Sequence, residues 1–389
     1  MRMRQCIKTF ATAFAPAAII FANPALGQGY TVPPALQATI DSHPHVRRLT
    51  DWGSRPDWSG DSKRLLFVSK EYGDIFELDV ATGKTRPLSF HYPHAGIFRA
   101  YYLPNGDYLL LAPRTHTPGF EAYGRSNDSE LWLLKGDLSG PPIALGEHNI
   151  EGIAVARGGM RVAWSRPKEP PEERVPDAQR RAPEPSSGES NSKLWAAEIV
   201  FVDGMPQLAN KRVVLDCADK YSPLVKLVTQ AGQRCAGFEP QNFVPSDDNR
   251  LTFTMATTGL QAGSPYSIGA YVIDLRNGKV MDLDRDEGYA EAEGVFPDGK
   301  STLVEFAESA VLADAVHAVD LWQYQLDGSG RRRPVTWYHS LNASLKSNQG
   351  VVSPDGRWLA FGVSTSEIES KVAGQGLGVF LMDLKAAGF

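Results

Sequence analysis

Short apolar runs alternate with clusters of turn formers along most of the chain, and six times this alternation spells a related phrase. The copies are DWSGDSKRLLFVS from Asp57, YYLPNGDYLLLAP from Tyr101, IAVARGGMRVAWS from Ile153, NFVPSDDNRLTFT from Asn242, GVFPDGKSTLVEF from Gly294 and GVVSPDGRWLAFG from Gly350. Each is an apolar run, a Pro/Asp/Gly/Asn turn and a second apolar or alternating run, which predicts a β-hairpin. A second strand pair follows, as in DIFELDVATGKTRPLS from Asp74 and GAYVIDLRNGKVMDLD from Gly269, so each unit is four antiparallel strands. A single such unit cannot cover both of its apolar faces, whereas units stacked in a ring can. The expectation is an all-β, six-bladed propeller. The last unit stops after its third strand, Gly378-Val-Phe-Leu-Met-Asp383, while His45-Val-Arg-Arg-Leu-Thr50 resembles the fourth strands elsewhere. An N-terminal strand is therefore expected to complete the last blade and remove its open edge.

The Ser/Phe-Pro-Asp-Gly turn followed by a Leu/Val-x-Phe strand resembles the repeat of TolB-like propellers, the WD40-like PD40 family. The resemblance covers about residues 45–389. It implies a propeller that meets a protein or cell-envelope partner, without the α/β domain that TolB carries. Propeller hydrolases of the prolyl-oligopeptidase type add a domain bearing Gly-x-Ser-x-Gly; here Gly136-Asp-Leu-Ser139-Gly has the wrong spacing. Related oligogalacturonate lyases hold a metal through Gln and several His, but their closely spaced motif is not found here.

Composition adds compartment and excludes some partners. The first residues, MRMRQCIK, are basic; an apolar run follows, and Ala25 and Gly27 sit where a signal peptidase reads. Residues 1–27 are expected to be a cleaved secretory signal, 28–44 an extension and 45–389 the propeller, in a periplasmic or secreted protein. The apolar run is about 14 residues, short of the ~20 that span a bilayer, so no membrane span is expected. Hydrophobic residues make up 42% and charged residues 22%, enough for a large core, and the net charge of −5 carries no basic excess for nucleic acid. Only Cys217 and Cys235 remain after cleavage, a disulfide candidate in an oxidising compartment.

About 60 residues per blade exceeds the ~40–45 a minimal blade needs. The excess lies between second and third strands, at 113–129, 166–192, 257–268, 307–318 and 364–376, and between blades at 217–235 and 338–346. Both loop types leave one face of a propeller, which marks that face as the working one. The segment 166–192, rich in Pro, Glu and Arg, reads as a solvated spacer. The innermost strands begin on the long-loop face, about six residues before each turn, at Arg55, Arg99, Glu151, Gln241, Glu293 and Gln349. Arg55 and Arg99 would clamp a small anionic ligand; the Glu and Gln residues would bind hydroxyls or act as an acid/base pair. His94, His148 and His339 fall in the long-face loops and are candidate metal ligands. Trp58, Trp164 and Trp358 read as inter-blade core, and Tyr123, Tyr266, Tyr289 and Tyr338 as loop aromatics. No cofactor is implied, and a monomer is expected. Two functions stay open: a non-catalytic binder that uses its long-loop face, or a periplasmic lyase or hydrolase for a small acidic or glycan-derived substrate.

Overall fold

The computed structural model describes residues 34–115, 129–149, 152–166, 192–259, 266–284, 288–308, 317–365 and 376–389. The proposed leader, most of the long loops, Glu151 and Tyr123 lie outside these. The described residues begin with α1 (Pro34–Asp41) and β1 (Val46–Arg48). One four-stranded sheet then holds β2 (Ser54–Trp58), β3 (Arg64–Val68), β4 (Ile75–Asp79) and β5 (Thr85–Pro87), and a second holds β6 (Arg99–Tyr102), β7 (Tyr108–Pro113), β8 (Ser129–Leu134) and β9 (Ile143–His148). The third has β10 (Ile153–Val155), β11 (Arg161–Arg166), β12 (Lys193–Val202) and β13 (Met205–Asp216), and α2 (Pro223–Gln230) follows. An eight-stranded sheet contains β14 (Gln233–Val244), β15 (Asp247–Gly259), β16 (Tyr266–Asp274) and β17 (Lys279–Asp282), then β18 (Tyr289–Val295), β19 (Ser301–Ala307), β20 (Asp320–Gln325) and β21 (Arg332–Pro334). Among the described residues its halves are joined by one parallel pair, Ile268 with Tyr289, and the other pairing is antiparallel. After α3 (Tyr338–Leu341) come β22 (Lys346–Val352), β23 (Trp358–Ser364) and β24 (Val379–Asp383), with β1 as the fourth strand of that sheet. The architecture is an all-β propeller arrangement of antiparallel four-stranded sheets. The sheets separate into four units of four strands and one of eight, rather than six of four.

The repeated phrase encodes its turn by side-chain hydrogen bonds. In the last copy Ser353 Oγ accepts from the Trp358 amide at 2.9 Å, and Asp355 Oδ1 accepts from the Arg357 amide at 3.0 Å. In the first copy Ser59 Oγ accepts from the Arg64 amide at 3.0 Å, and Asp61 Oδ1 from the Lys63 amide at 3.1 Å. The residue after each Asp has a left-handed backbone, φ 71° at Gly356 and 59° at Ser62, which explains why Gly dominates there.

The core is a series of apolar layers between successive sheets. Leu66, Val68 and Ile75 pack against Ala100, Tyr102 and Leu110; Leu109 and Leu131 against Ile153 and Trp164; Ala163 and Leu194 against Phe238 and Leu251. Trp58, Leu65 and Phe67 of the first sheet pack against Ala360, Val379 and Leu381 of the last. Both faces of a sheet are thus covered, so β7 and β19 are buried along their whole length instead of alternating. Trp58 and Trp164 are fully buried and Trp358 partly so. Tyr289 and Tyr338, read from sequence as loop aromatics, are buried as well.

The N-terminal strand β1 lies in the last sheet. Val46, Arg47 and Arg48 pair with Met382, Leu381 and Phe380, flanked by bonds from Leu49 N to Val379 O at 2.8 Å and from Asp383 N to His45 O at 3.0 Å. Ahead of β1, Leu36 and Ile40 of α1 are buried, and His43 stacks on Trp337 with ring centroids 4.2 Å apart. Cys217 and Cys235 form a disulfide, with Cα atoms 5.3 Å apart, beside the packed face of α2. Among the described residues no helix is long and apolar enough to cross a membrane.

Candidate functional site

Four of the predicted axial residues stand at irregularities in the first strand of their sheets. Pairing of β2 with β3 shifts between Ser54 and Asp57, across Arg55; that of β14 with β15 between Pro240 and Asn242, across Gln241. The β18–β19 register shifts between Ala292 and Val295, across Glu293, and the β22–β23 register between Asn348 and Val351, across Gln349. A bulge leaves a residue out of the ladder and re-aims its side chain. Arg55 and Gln349 both have φ 56°, a conformation that a non-glycine residue adopts only when its surroundings impose it. The glycine after Glu293 allows close approach: a Cβ on Gly294 would lie 2.8 Å from the Gly350 carbonyl oxygen.

Arg55, Arg99, Gln241, Glu293 and Gln349 consequently line one cavity of about 40 Å³, together with Asp57, Tyr101 and Asn242. Five of the six predicted ligand residues meet there, and Glu151 lies outside the described residues. The space suits one or two water-sized groups. It admits a single functional group of a ligand, not a whole sugar.

The two arginines do not form an open clamp. Arg99 Nη2 donates to Glu239 Oε1 at 3.0 Å, and the Arg55 guanidinium lies 4.3 Å from the centre of the Phe98 ring. Sequence reasoning missed the partners that set the electrostatics: Glu239, Glu291, Glu305, Tyr101 and Tyr289. Glu291 and Glu305 are cross-strand neighbours on β18 and β19. Glu305 accepts from the Gln349 amide at 2.7 Å, and Tyr289 donates to Glu291. Burial pushes the Glu293 carboxyl well above the ordinary range; the nearby charges of Glu305 and Glu291 and a hydrogen bond with Glu305 push the same way, against Arg99. Burial beside the Glu305 and Glu291 carboxylates thus favours the neutral form of Glu293, as expected when close carboxyls compete to ionise. Burial works against the Arg99 charge, but Tyr101 and above all its ion-pair partner Glu239 act in its favour and hold the guanidinium charged. With Glu293 favoured neutral, the carboxylates of Glu239, Glu291 and Glu305 face the two arginines, so the cluster offers an anion no net attraction. A sequence signal for it existed: YAEAEGV and STLVEFA place acids inside apolar first and second strands, where an unpaired charge is costly.

The raised Glu293 value sets a pH dependence. Its stabilising contribution is complete below the unfolded value of 4.5 and is lost as pH rises through the higher folded-state value. Glu293→Gln stays neutral and should show less loss of the urea midpoint between pH 5 and pH 8 than the wild type. Parallel losses in the two proteins would refute the assignment.

The histidines are held locally. His94 Nε2 lies 3.0 Å from Asp74 and its Nδ1 accepts from the Gly96 amide; His148 Nε2 lies 3.8 Å from Glu130; His339 Nδ1 lies 3.1 Å from the Leu345 carbonyl. Among the described residues no group of three or more His, Cys, Asp or Glu side chains is placed to hold a metal, so His94, His148 and His339 do not assemble the site read from their loops.

No protein-family model and no curated protein matches the chain. Solved structures resemble it distantly. A putative TolB from Agrobacterium tumefaciens is 13% identical over 74% of this chain and 81% of its own, with TM-score 0.45. TolB from Acinetobacter baumannii is 11% identical over 84% of this chain and 64% of its own, with TM-score 0.47. An oligogalacturonate lyase from Vibrio parahaemolyticus is 11% identical over 88% and 79%, with TM-score 0.45. At these values no residue role or activity transfers.

Proposed function

We propose that the chain is an exported six-bladed propeller with TolB-like repeats that binds a small hydroxyl-bearing ligand, such as a glycan-derived molecule, at its axis. The Ile268–Tyr289 pair would mark a boundary between two blades of the eight-stranded sheet, and β1, paired with β24, would complete the last blade. Residues 1–27 direct the chain to the periplasm. The observation that carries the ligand reading is Gln241: it is 5% exposed, lines the cavity, and its Nε2 has no hydrogen-bond partner among the described residues. An orphaned buried donor costs about 1–3 kcal/mol. A ligand hydroxyl would satisfy it and donate in turn to a glutamate. Glu293, whose neutral form burial favours, is the candidate acid if the bound molecule is also transformed, and Glu305 the base.

Calorimetric titration with a set of neutral monosaccharides and the matching uronic acids tests this. A neutral sugar should bind more tightly than its acid, and Gln241→Leu should weaken it about tenfold or more. Tighter binding of the acid, or no neutral ligand in the set, would defeat the proposal.

A second reading, docking of a protein partner on the connecting loops, is favoured by Phe90, Tyr221, Leu227 and Leu341. These are 66%, 72%, 56% and 52% exposed on connections between sheets. Capture of an envelope protein that is lost when all four are replaced by Ser would support it.

A further inference from the structure

Between the third sheet and the β14–β17 half of the eight-stranded sheet lies a cleft of about 340 Å³, which the axial reading does not use. Its shape begins with a slip in the hairpin β12–β13. Ala196 pairs with Arg212 and Glu198 with Ala209, so Asn210 and Lys211 together oppose Ala197. Asn210 takes φ 54°, and this bulge brings Asn210 and Arg212 into the cleft lining. Arg161 comes from the start of β11 and Arg276 from the turn after β16.

The lining holds three guanidiniums, Arg161, Arg212 and Arg276, against one carboxylate, Glu198, in a chain whose net charge is −5. Glu198 is engaged by Arg161 at 3.4 Å and by Asn210 at 3.0 Å. Arg161 is further fixed by the Asp248 carbonyl at 3.1 Å and Asn249 Oδ1 at 3.0 Å, and Arg276 is held by Asp274 and Asp247. Arg212 differs: it donates to the Leu275 carbonyl at 3.1 Å and has no carboxylate partner among the described residues. One bond of this kind orients a guanidinium while leaving most of its five N–H donors available. Buried Phe243 and Leu275 supply apolar wall beside it.

We propose that this cleft binds a small organic oxyanion, a phosphate monoester or carboxylate on a compact apolar body, with Arg212 as its principal contact. A planar guanidinium donates two parallel bonds to such a group. The size lies in the range of small-molecule sites, and the charge of the lining is opposite to that of the axial cluster.

The test is calorimetric titration of the full mature chain at low salt with phenyl phosphate, inorganic phosphate and benzyl alcohol. One-to-one binding of phenyl phosphate is expected, tighter than inorganic phosphate, with no binding of the alcohol. Arg212→Ala should weaken phenyl phosphate about 10- to 100-fold, Arg212→Lys less, and both should unfold with the wild-type midpoint. Gln241→Leu should leave this binding unchanged, which separates it from the axial site. No saturable binding of either phosphate, or equal binding by Arg212→Ala, would overturn the proposal. Should the alanine variant unfold early, the lysine variant decides by the same comparison.

Discussion

Arg157→Ala will destabilise the protein by about 1–3 kcal/mol, the cost of leaving a buried polar group without its partner; the Arg157 side chain is itself 27% exposed, so the loss stays below that of a fully buried pair. Arg157 follows β10 in the third sheet, yet its guanidinium reaches Asp57 on β2 of the first sheet and the Trp58 carbonyl at 3.1 Å. Asp57 is 2% exposed and also accepts from the Tyr102 amide of the second sheet at 2.8 Å. One carboxylate thus ties three consecutive sheets beside the axial cavity that it lines. Alanine at 157 leaves that charge buried with one backbone donor, which repays only part of its lost hydration. Adding Asp57→Asn should recover part of the loss, because the orphaned group is then neutral. Urea unfolding of the two single variants and the double variant measures this. Additive losses, or a loss under 1 kcal/mol for Arg157→Ala, would show that the strut carries no weight.

Deleting residues 34–50 should have a still larger effect. The deletion removes burial of Leu36, Ile40 and partly buried Leu49 and strips β24 of its outer partner. At about 1.5–3 kcal/mol for each fully buried aliphatic side chain, the loss is roughly 5 kcal/mol before the hydrogen bonds are counted. It also exposes a strand edge that invites intermolecular pairing. The truncated chain is expected to be aggregated or unfolded at 25 °C. A synthetic peptide spanning 43–50, added in excess, should restore monomer by pairing with β24. A truncated chain that stays monomeric with an unchanged melting point would show that β1 is an ornament on an already complete ring.

The recurring phrase made the fold legible because it is a local device. Ser59 with Asp61, and Ser353 with Asp355, build the same turn from their own neighbours, so spacing alone locates each inner strand. Counting back from the turn then reached Arg55, Arg99, Gln241, Glu293 and Gln349. It failed for Glu239 and Glu291 because they stand on regular ladder positions two residues ahead of Gln241 and Glu293, and for Glu305 because it belongs to a second strand. Arg157 was hidden in a glycine-rich turn, and its partner is 100 residues away. The histidines were grouped by the face of their loops, and a shared face does not bring side chains together: Asp74, Glu130 and the Leu345 carbonyl hold them apart. The division between the fourth and fifth units is clear in the phrase, but the Ile268–Tyr289 bridge merges their sheets.

The central feature of the site is a carboxyl, Glu293, whose neutral form is favoured where the inner strands converge. Infrared spectroscopy of the folded chain at pH 7 tests it directly. A band of a protonated carboxylic acid, shifted on exchange into D₂O and absent from Glu293→Gln, is the predicted result. Wild-type protein in which every carboxyl is ionised at pH 7 would contradict it.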